Sequence, residues 1–258
     1  MWVLALGVLL AGCGRLEFGG SASDAGNAGP DGTGLDDAGR SVYATAVLAD
    51  NPVSYWRLND TGTVAHNEIA GGPDGMFQGN VVYGVAGAVN DDRAVQFDGI
   101  STRLEIGDYY AFAGVPYSAE AWVLSEDSND TRFLFYRYND DGTIGWQAYF
   151  GIGYFLHSRE YGGEERDYAT SDQTPPRAWV HAVATYDGDR THMFIDGEAF
   201  DGNQNVGTLP AGTGGTLVIG DNSPGQFNKI NGRLDEIAIY DHALTQAQIA
   251  AHYAASGR

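Results

Sequence analysis

The chain has 258 residues, 37 of them glycine and 8 proline, and 43% are hydrophobic, including 5 Trp, 15 Tyr and 11 Phe. That aromatic mass excludes global disorder, while a glycine content roughly twice the average points to many turns. With 34 acidic and 14 basic residues the formal charge is −20; such a field repels a polyanion, so nucleic acid is excluded as a partner and cations are favoured.

Residues 1–12 form an uncharged apolar run that ends at the one cysteine, Cys13. The run is too short to cross a bilayer, which takes about 20 residues, and fits the apolar part of a signal peptide. Leu10-Ala11-Gly12-Cys13 resembles the lipobox of bacterial lipoproteins, which implies cleavage before Cys13 and lipidation of that residue. Gly14, standing where an Asp would imply retention at the inner membrane, implies the outer membrane or the cell surface; the absence of Lys or Arg before the run departs from the pattern. The other reading, a buried N-terminal strand with a core thiol, fits a chain with one cysteine less well. Residues 13–40 read as a tether. Ser21–Arg40 holds 5 Gly, 4 Asp and 4 Ala with almost no large apolar side chain, so burial cannot offset its ordering entropy. From Cys13 to Arg40 a flexible chain reaches about 30 Å. Residues 41–258 are expected to be one domain, and with 29 acidic and 12 basic residues they carry most of the charge.

Short strands separated by Asp-Gly pairs fill that domain. Strands are expected at Ser54–Leu58, Ala94–Phe97, Thr102–Ile106, Ser118–Leu124, Arg132–Tyr138, Gly145–Phe150, Tyr154–His157, Trp179–Tyr186, His192–Asp196, Thr216–Ile219 and Arg233–Tyr240. Asp74-Gly75, Asp98-Gly99, Asp141-Gly142, Asp187-Gly188, Asp196-Gly197 and Asp201-Gly202 are the candidate hairpin turns, because both positions tolerate positive φ. The widest gaps, Ser158 to Arg177 and Gly197 to Gly215, read as long loops. One helix is expected, at the C-terminus: Thr245-Gln246-Ala247-Gln248 has the form of a capping box, and Ile249, Ala250, Tyr253 and Ala254 make its apolar stripe.

Tyr55-Trp56-Arg57-Leu58, Ala94-Val95-Gln96-Phe97-Asp98-Gly99, Ser118-Ala119-Glu120-Ala121-Trp122-Val123, the segment Trp179 to Gly188, and Gly232-Arg233-Leu234-Asp235-Glu236-Ile237-Ala238-Ile239-Tyr240-Asp241 follow one another in the order of successive strands of laminin-G-like jelly rolls. On these motifs residues 42–256 resemble that family of the concanavalin A-like superfamily. The fold class expected is therefore all-β, a two-sheet antiparallel jelly-roll sandwich with a short C-terminal helix. Some relatives in the superfamily are glycosidases that carry Glu-x-Asp-x-x-Glu on one strand, a run absent from this sequence. The acidic strings Glu126-Asp127, Glu164-Glu165-Arg166-Asp167 and Asp235-Glu236 place neighbours on opposite faces of a regular strand. No Gly-x-Ser-x-Gly or His-Glu-x-x-His occurs, and His181, between Trp179 and Val183, reads as structural.

The resemblance also implies a structural calcium held by a carboxylate of the last long strand, which is Asp235 here, with Asp60 as the partner carboxylate near the first strand. Asp98 fits either that site or a turn. A ligand surface is expected around Arg132 to His157, where Tyr136, Tyr138 and Trp146 offer aromatic plates and Arg137, with Arg159 and Arg166, offers a cation for an acidic sugar; the same stripe also fits a sandwich core. The function expected is a tethered, non-catalytic module of the bacterial envelope that binds glycans or extracellular proteins. The alternative is a polysaccharide hydrolase or lyase of the same superfamily.

Overall fold

A computed structural model describes residues 41–89, 92–112, 114–126, 131–140, 144–151, 154–161, 164–171, 177–204, 214–222 and 228–258. Cys13, the signal 1–12, the tether 13–40 and the Asp141-Gly142 turn lie outside the described residues, as does the side chain of Arg166. The elements in chain order are α1 (Val42–Ala49), β1 (Ser54–Trp56), β2 (Val64–Ala65), β3 (Gly75–Gln78), β4 (Val82–Ala86), β5 (Arg93–Asp98), β6 (Arg103–Gly107), β7 (Tyr117–Ser125), β8 (Arg132–Tyr138), β9 (Ile144–Gly151), β10 (Tyr154–Tyr161), β11 (Glu164–Ser171), β12 (Trp179–Tyr186), β13 (Arg190–Ile195), β14 (Glu198–Gln204), β15 (Thr216–Ile219), β16 (Asn231–Tyr240) and α2 (Gln246–Ala255).

The strands form two sheets. The first has the order β14-β13-β12-β7-β16-β5-β4, with β1 added against β16; the second runs β11-β10-β9-β8-β15-β6-β3-β2. Neighbouring strands pair antiparallel throughout, as in β7 against β12 and β16 or β9 against β8 and β10. Between the sheets lies the main core, with Trp56, Phe97, Tyr117, Trp146, Leu234 and Ile237 fully or almost fully buried.

Each of the eleven expected strands is present, shifted at its ends by a few residues at most. Asp98-Gly99, Asp187-Gly188 and Asp196-Gly197 are turns. At the first, Asp98 Oδ1 accepts from the amides of Ile100, Ser101 and Thr102 at 2.9, 2.7 and 2.9 Å. Burial opposes its ionisation, yet these donors hold its carboxyl well below the usual range, so Asp98 is a turn residue. At the third, Asp196 and Gly197 both have positive φ, 51° and 83°, as a two-residue hairpin requires. By contrast Gly75 opens β3, and Asp201-Gly202 lies inside β14.

Three expectations are corrected. The segment 158–177 is mostly the hairpin of β10 and β11, and β14 occupies part of 197–215. Both added strands are sheet edges, where charged and polar residues are favoured and the apolar alternation that marks a strand is lost. Helix α1 is also additional to the one helix expected: its sequence VYATAVLA is apolar on nearly every side and shows no stripe, and its N-cap is the Ser41 side chain, which accepts from the Ala44 amide. Finally, α2 carries the expected capping box, with Gln248 N donating to Thr245 Oγ1 and Thr245 N to Gln248 Oε1, but it buries Ile249 and His252 while Ala250 and Ala254 are exposed.

Both helices cover the outer face of the first sheet. Tyr43 and Val47 from α1 and Ile249 from α2 join Trp122, Val183 and Tyr240 of the sheet in a second apolar cluster. At its centre stands Glu120 of β7, fully buried. Its Oε1 accepts from Tyr240 at 2.6 Å, and its Oε2 lies 3.0 Å from His252 Nδ1 and 3.2 Å from His181 Nε2. His252 Nε2 in turn reaches Asp50 Oδ2, at the end of α1, at 2.9 Å. Burial lowers the His252 pKa, but Glu120 and Asp50 more than reverse this and raise it to about 9, so the ring is a buried cation between two carboxylates at neutral pH.

A raised folded pKa gives stability that is complete below the unfolded value of about 6.5 and is lost as pH rises through about 9. The urea midpoint is therefore expected to fall between pH 7 and 10. His252→Ala should lower stability at pH 7 by about 3–5 kcal/mol, because Glu120 stays buried without its cation, and should flatten that alkaline slope. A variant as stable as wild type at pH 7, or one with the same slope, would contradict this role.

Candidate functional site

With the helices on the first sheet, the outer face of the second is the open one: among the described residues no helix lies on it. A run of aromatic rings crosses that face. Ring centroids are 6.0 Å apart for Tyr138 and Tyr136, 5.3 Å for Tyr136 and Phe133, 5.0 Å for Phe133 and Tyr149, and 6.3 Å for Tyr149 and Tyr154. Four of these rings, those of Phe133, Tyr136, Tyr149 and Tyr154, line an open cleft of about 370 Å³ whose polar wall is Thr131, Gln147, Asn222 and Asn228. The tyrosines are half-buried and Phe133 forms the floor. Gly151, across from Tyr154, leaves the space that ring needs, since a Cβ there would lie 2.7 Å from it.

Asn222 and Asn228 come from the connection between β15 and β16, which is pinned at its base. Ile230 N donates to Gly220 O at 2.9 Å, Gly220 N to Leu134 O at 3.1 Å and Phe133 N to Asn228 O at 3.1 Å. Between these bonds the chain's one lysine, Lys229, forms a buried ion pair with Asp221. The Asn222 side-chain oxygen is buried and has no hydrogen-bond partner among the described residues.

The four expected ligand residues divide by face. Tyr136 lines the cleft and Tyr138 extends its aromatic run. Trp146 and Arg137 point into the sandwich, 1% and 0% exposed. The Trp146 indole donates to Tyr110 O at 2.8 Å. Arg137 is held by Asp108 Oδ1 at 2.8 Å and by the carbonyls of Tyr109 and Gly214, each at 2.9 Å. Arg159 is also interior, stacked 3.7 Å over the Tyr186 ring. A bulge explains the difference. The register of β8 on β9 slips between Phe133 and Phe135, so that Phe133 faces Tyr149 and Tyr136 faces Gln147, while Phe135 pairs with Ala148 and Arg137 with Trp146. Strict alternation therefore groups Tyr136 with the wrong residues of β9 and passes over Phe133, Tyr149, Tyr154 and Gln147.

A second bulge shapes the region of Asp235. Pairing of β16 with β7 slips between Asp235 and Ala238, and Glu236 takes a left-handed φ of 49°. Adjacent carboxylates that a regular strand would separate are thus both fully buried and near each other, and Asp92 and Arg57 join them. Arg57 Nη2 donates to Asp92 Oδ2 at 2.5 Å and its Nε to Glu236 Oε1 at 3.3 Å, while the Tyr55 hydroxyl donates to Glu236. Asp235 Oδ2 accepts from Ala88 N at 2.8 Å, and Asp235 Oδ1 is buried without a partner among the described residues. Burial first, and then the charge of Asp92, pushes the Asp235 carboxyl well above its usual range; burial and then Asp235 do the same to Glu236.

This orphaned oxygen fits a cation ligand, and Gly87 leaves room for the carboxylate that carries it, since a Cβ there would lie 2.6 Å from Asp235 Oδ2. Asp60 is engaged elsewhere: its carboxylate accepts from His66 N at 3.0 Å and faces His66 Nδ1 at 2.6 Å. Among the described residues no three His, Cys, Asp or Glu side chains form a ready metal site.

The family model for the concanavalin A-like lectin/glucanases superfamily matches residues 98–250, a span that contains the cleft and Asp235. No curated protein matches the chain in sequence. Among solved structures it is similar to domain 4 of AbnA, a GH43 extracellular arabinanase from Geobacillus stearothermophilus in complex with arabinotriose, at 15% identity over 78% of this chain and 98% of that one, with a TM-score of 0.58. It is also similar to Trypanosoma rangeli sialidase in complex with sialic acid (14% identity, 78% and 32% coverage, TM-score 0.61) and to the binding domain of botulinum neurotoxin serotype G (8% identity, 79% and 50% coverage, TM-score 0.63). At these identities the likeness shows the fold, and the chain spans about a third of the sialidase and half of the neurotoxin structure.

Proposed function

We propose, from the premise that this chain belongs to the concanavalin A-like lectin/glucanases superfamily, that it is a non-catalytic glycan-binding module whose site is the aromatic cleft of the second sheet. The observation that carries the reading is the composition of that cleft: stacked tyrosines beside amide and hydroxyl groups, on the sheet face that the helices leave open. Aromatic plates match the CH faces of sugar rings and amides match their hydroxyls. The arabinotriose complex of AbnA domain 4 supports the same reading for a domain of this fold. Among the described residues the cleft lining contains no carboxylate, whereas hydrolysis by the usual route needs two flanking the scissile bond.

Two further parts belong to the proposal. The pocket of Asp235 would hold a structural calcium, with Asp235 Oδ1 as a side-chain ligand. When bound, the ion would supply the positive charge that this cluster of Asp92, Asp235 and Glu236 lacks beyond Arg57. The module is displayed at a bacterial outer membrane or cell surface on the tether 13–40, through lipid on Cys13.

Calorimetric titration with an oligosaccharide panel should detect binding, and Tyr149→Ala should weaken it at least about tenfold, equivalent to about 1.4 kcal/mol. Unchanged affinity in that variant would reject the cleft, and release of new reducing ends would reject the non-catalytic reading in favour of a hydrolase. For the ion, calcium at a hundredfold excess over its Kd should raise the Tm by roughly 5–10 °C; Asp235→Asn should abolish the rise, and an equal rise in both proteins would remove the site. Cys13→Ser should move the protein to the soluble fraction, and continued membrane association would disprove the anchor.

A further inference from the structure

We infer that the ligand of this cleft is an uncharged oligosaccharide, seated as an extended chain along the aromatic run rather than as a single sugar; the inference rests on the glycan-binding reading above. Its first ground is charge. The lining residues are aromatic, amide, hydroxyl or aliphatic, and none is ionised at neutral pH. Three cations of the neighbouring sequence are committed elsewhere: Arg137 to Asp108 and two carbonyls inside the sandwich, Arg159 to the face of Tyr186, and Lys229 to Asp221. Carboxylate and sulfate groups on sugars are recognised by guanidinium or ammonium groups. Here an anionic sugar would shed hydration for the neutral donors of the lining, on a protein of net charge −20.

Hydroxyl groups, by contrast, both donate and accept, and the wall offers both roles. Gln147 is almost fully buried and fixed by its amide, which donates to Ser158 Oγ at 3.0 Å. The Asn222 oxygen, buried and without a partner among the described residues, is an acceptor placed in that wall, and an unmet buried acceptor is stabilised by a ligand hydroxyl.

The second ground is extent. The rings run from Tyr138 along β8 to Phe133, cross to Tyr149 on β9 and end at Tyr154 on β10, with every step 5.0–6.3 Å. At about 3.4 Å per residue along a strand this covers roughly 15–20 Å, more than one sugar ring fills. Tyr138 lies beyond the cleft lining proper, so it is available only to a ligand long enough to reach it.

The test uses the whole protein and a calorimetric panel of neutral arabino-, xylo- and cello-oligosaccharides from one to six units, with oligogalacturonates and sialyllactose as acidic counterparts. Affinity for at least one neutral series should rise at least about tenfold from the monosaccharide to the tetra- or hexasaccharide, and acidic sugars of matched length should bind at least about tenfold more weakly. Tyr138→Ala should weaken the hexasaccharide and leave the disaccharide unchanged. Acidic sugars bound as tightly as neutral ones, or an affinity that does not grow with length, would overturn the inference and leave glycan binding standing. Failure of every probe to bind would defeat the glycan-binding reading itself, and this inference with it.

Discussion

A carboxylate buried on a central strand has to be satisfied by the groups packed around it, and in this protein Glu120 is satisfied jointly by its own sheet and by the C-terminal helix. Its partners are His252 from α2, His181 from the neighbouring strand and Tyr240 from β16, and His252 carries the link on to Asp50 at the end of α1. Breaking such a network costs more than any single surface contact supplies, because what remains is an unpaired buried charge. The helices are thereby held against one face of the sandwich by polar specificity as well as by the apolar cluster of Tyr43, Trp122, Phe194 and Ile249. One consequence is functional: of the two outward faces of this two-layer fold, that of the second sheet is the one left open to a ligand among the described residues.

Both chemically interesting places in the structure arise where a strand breaks its own period. In β8 the slip between Phe133 and Phe135 turns Phe133 outward to join Tyr136 and Tyr149. In β16 the left-handed Glu236 turns two adjacent carboxylates toward Arg57 and Asp92. A bulge adds a residue without lengthening the ladder and so re-aims the side chains beyond it. The regular parts of the sheets build the core, and the irregular parts build the cleft and the acidic pocket.

The same distinction governs what could be read from the residues. Strands such as Ser118–Leu124 and Trp179–Tyr186 are central and apolar, and Thr245 with Gln248 carries its capping pattern within four residues, so all three are visible locally. Edge strands such as β11, with Glu164-Glu165-Arg166-Asp167, lack the apolar alternation, as charged and polar residues are favoured at the edge of a sheet. The family likeness pointed to Asp235, but its nearest carboxylates, Asp92 and Glu236, are brought close by a bulge that no spacing rule announces. The stripe of Tyr136, Tyr138 and Trp146 was legible as core or as surface but not as both at once: the slip in β8 puts the two tyrosines outside and Trp146, with Arg137, inside.

The acidic excess of the chain is consistent with a neutral ligand in the cleft. It disfavours anionic partners over the whole surface, while the cleft itself is neutral. The central claim is that the open face of the second sheet is where this protein meets its ligand, and a crystal structure with a bound oligosaccharide tests it most directly. Sugar rings are predicted over Phe133, Tyr136, Tyr149 and Tyr154, with hydroxyls on Asn222, Asn228 or Gln147. Sugar seated on the helix-covered side, or at the sheet edges with the cleft empty, would contradict the account.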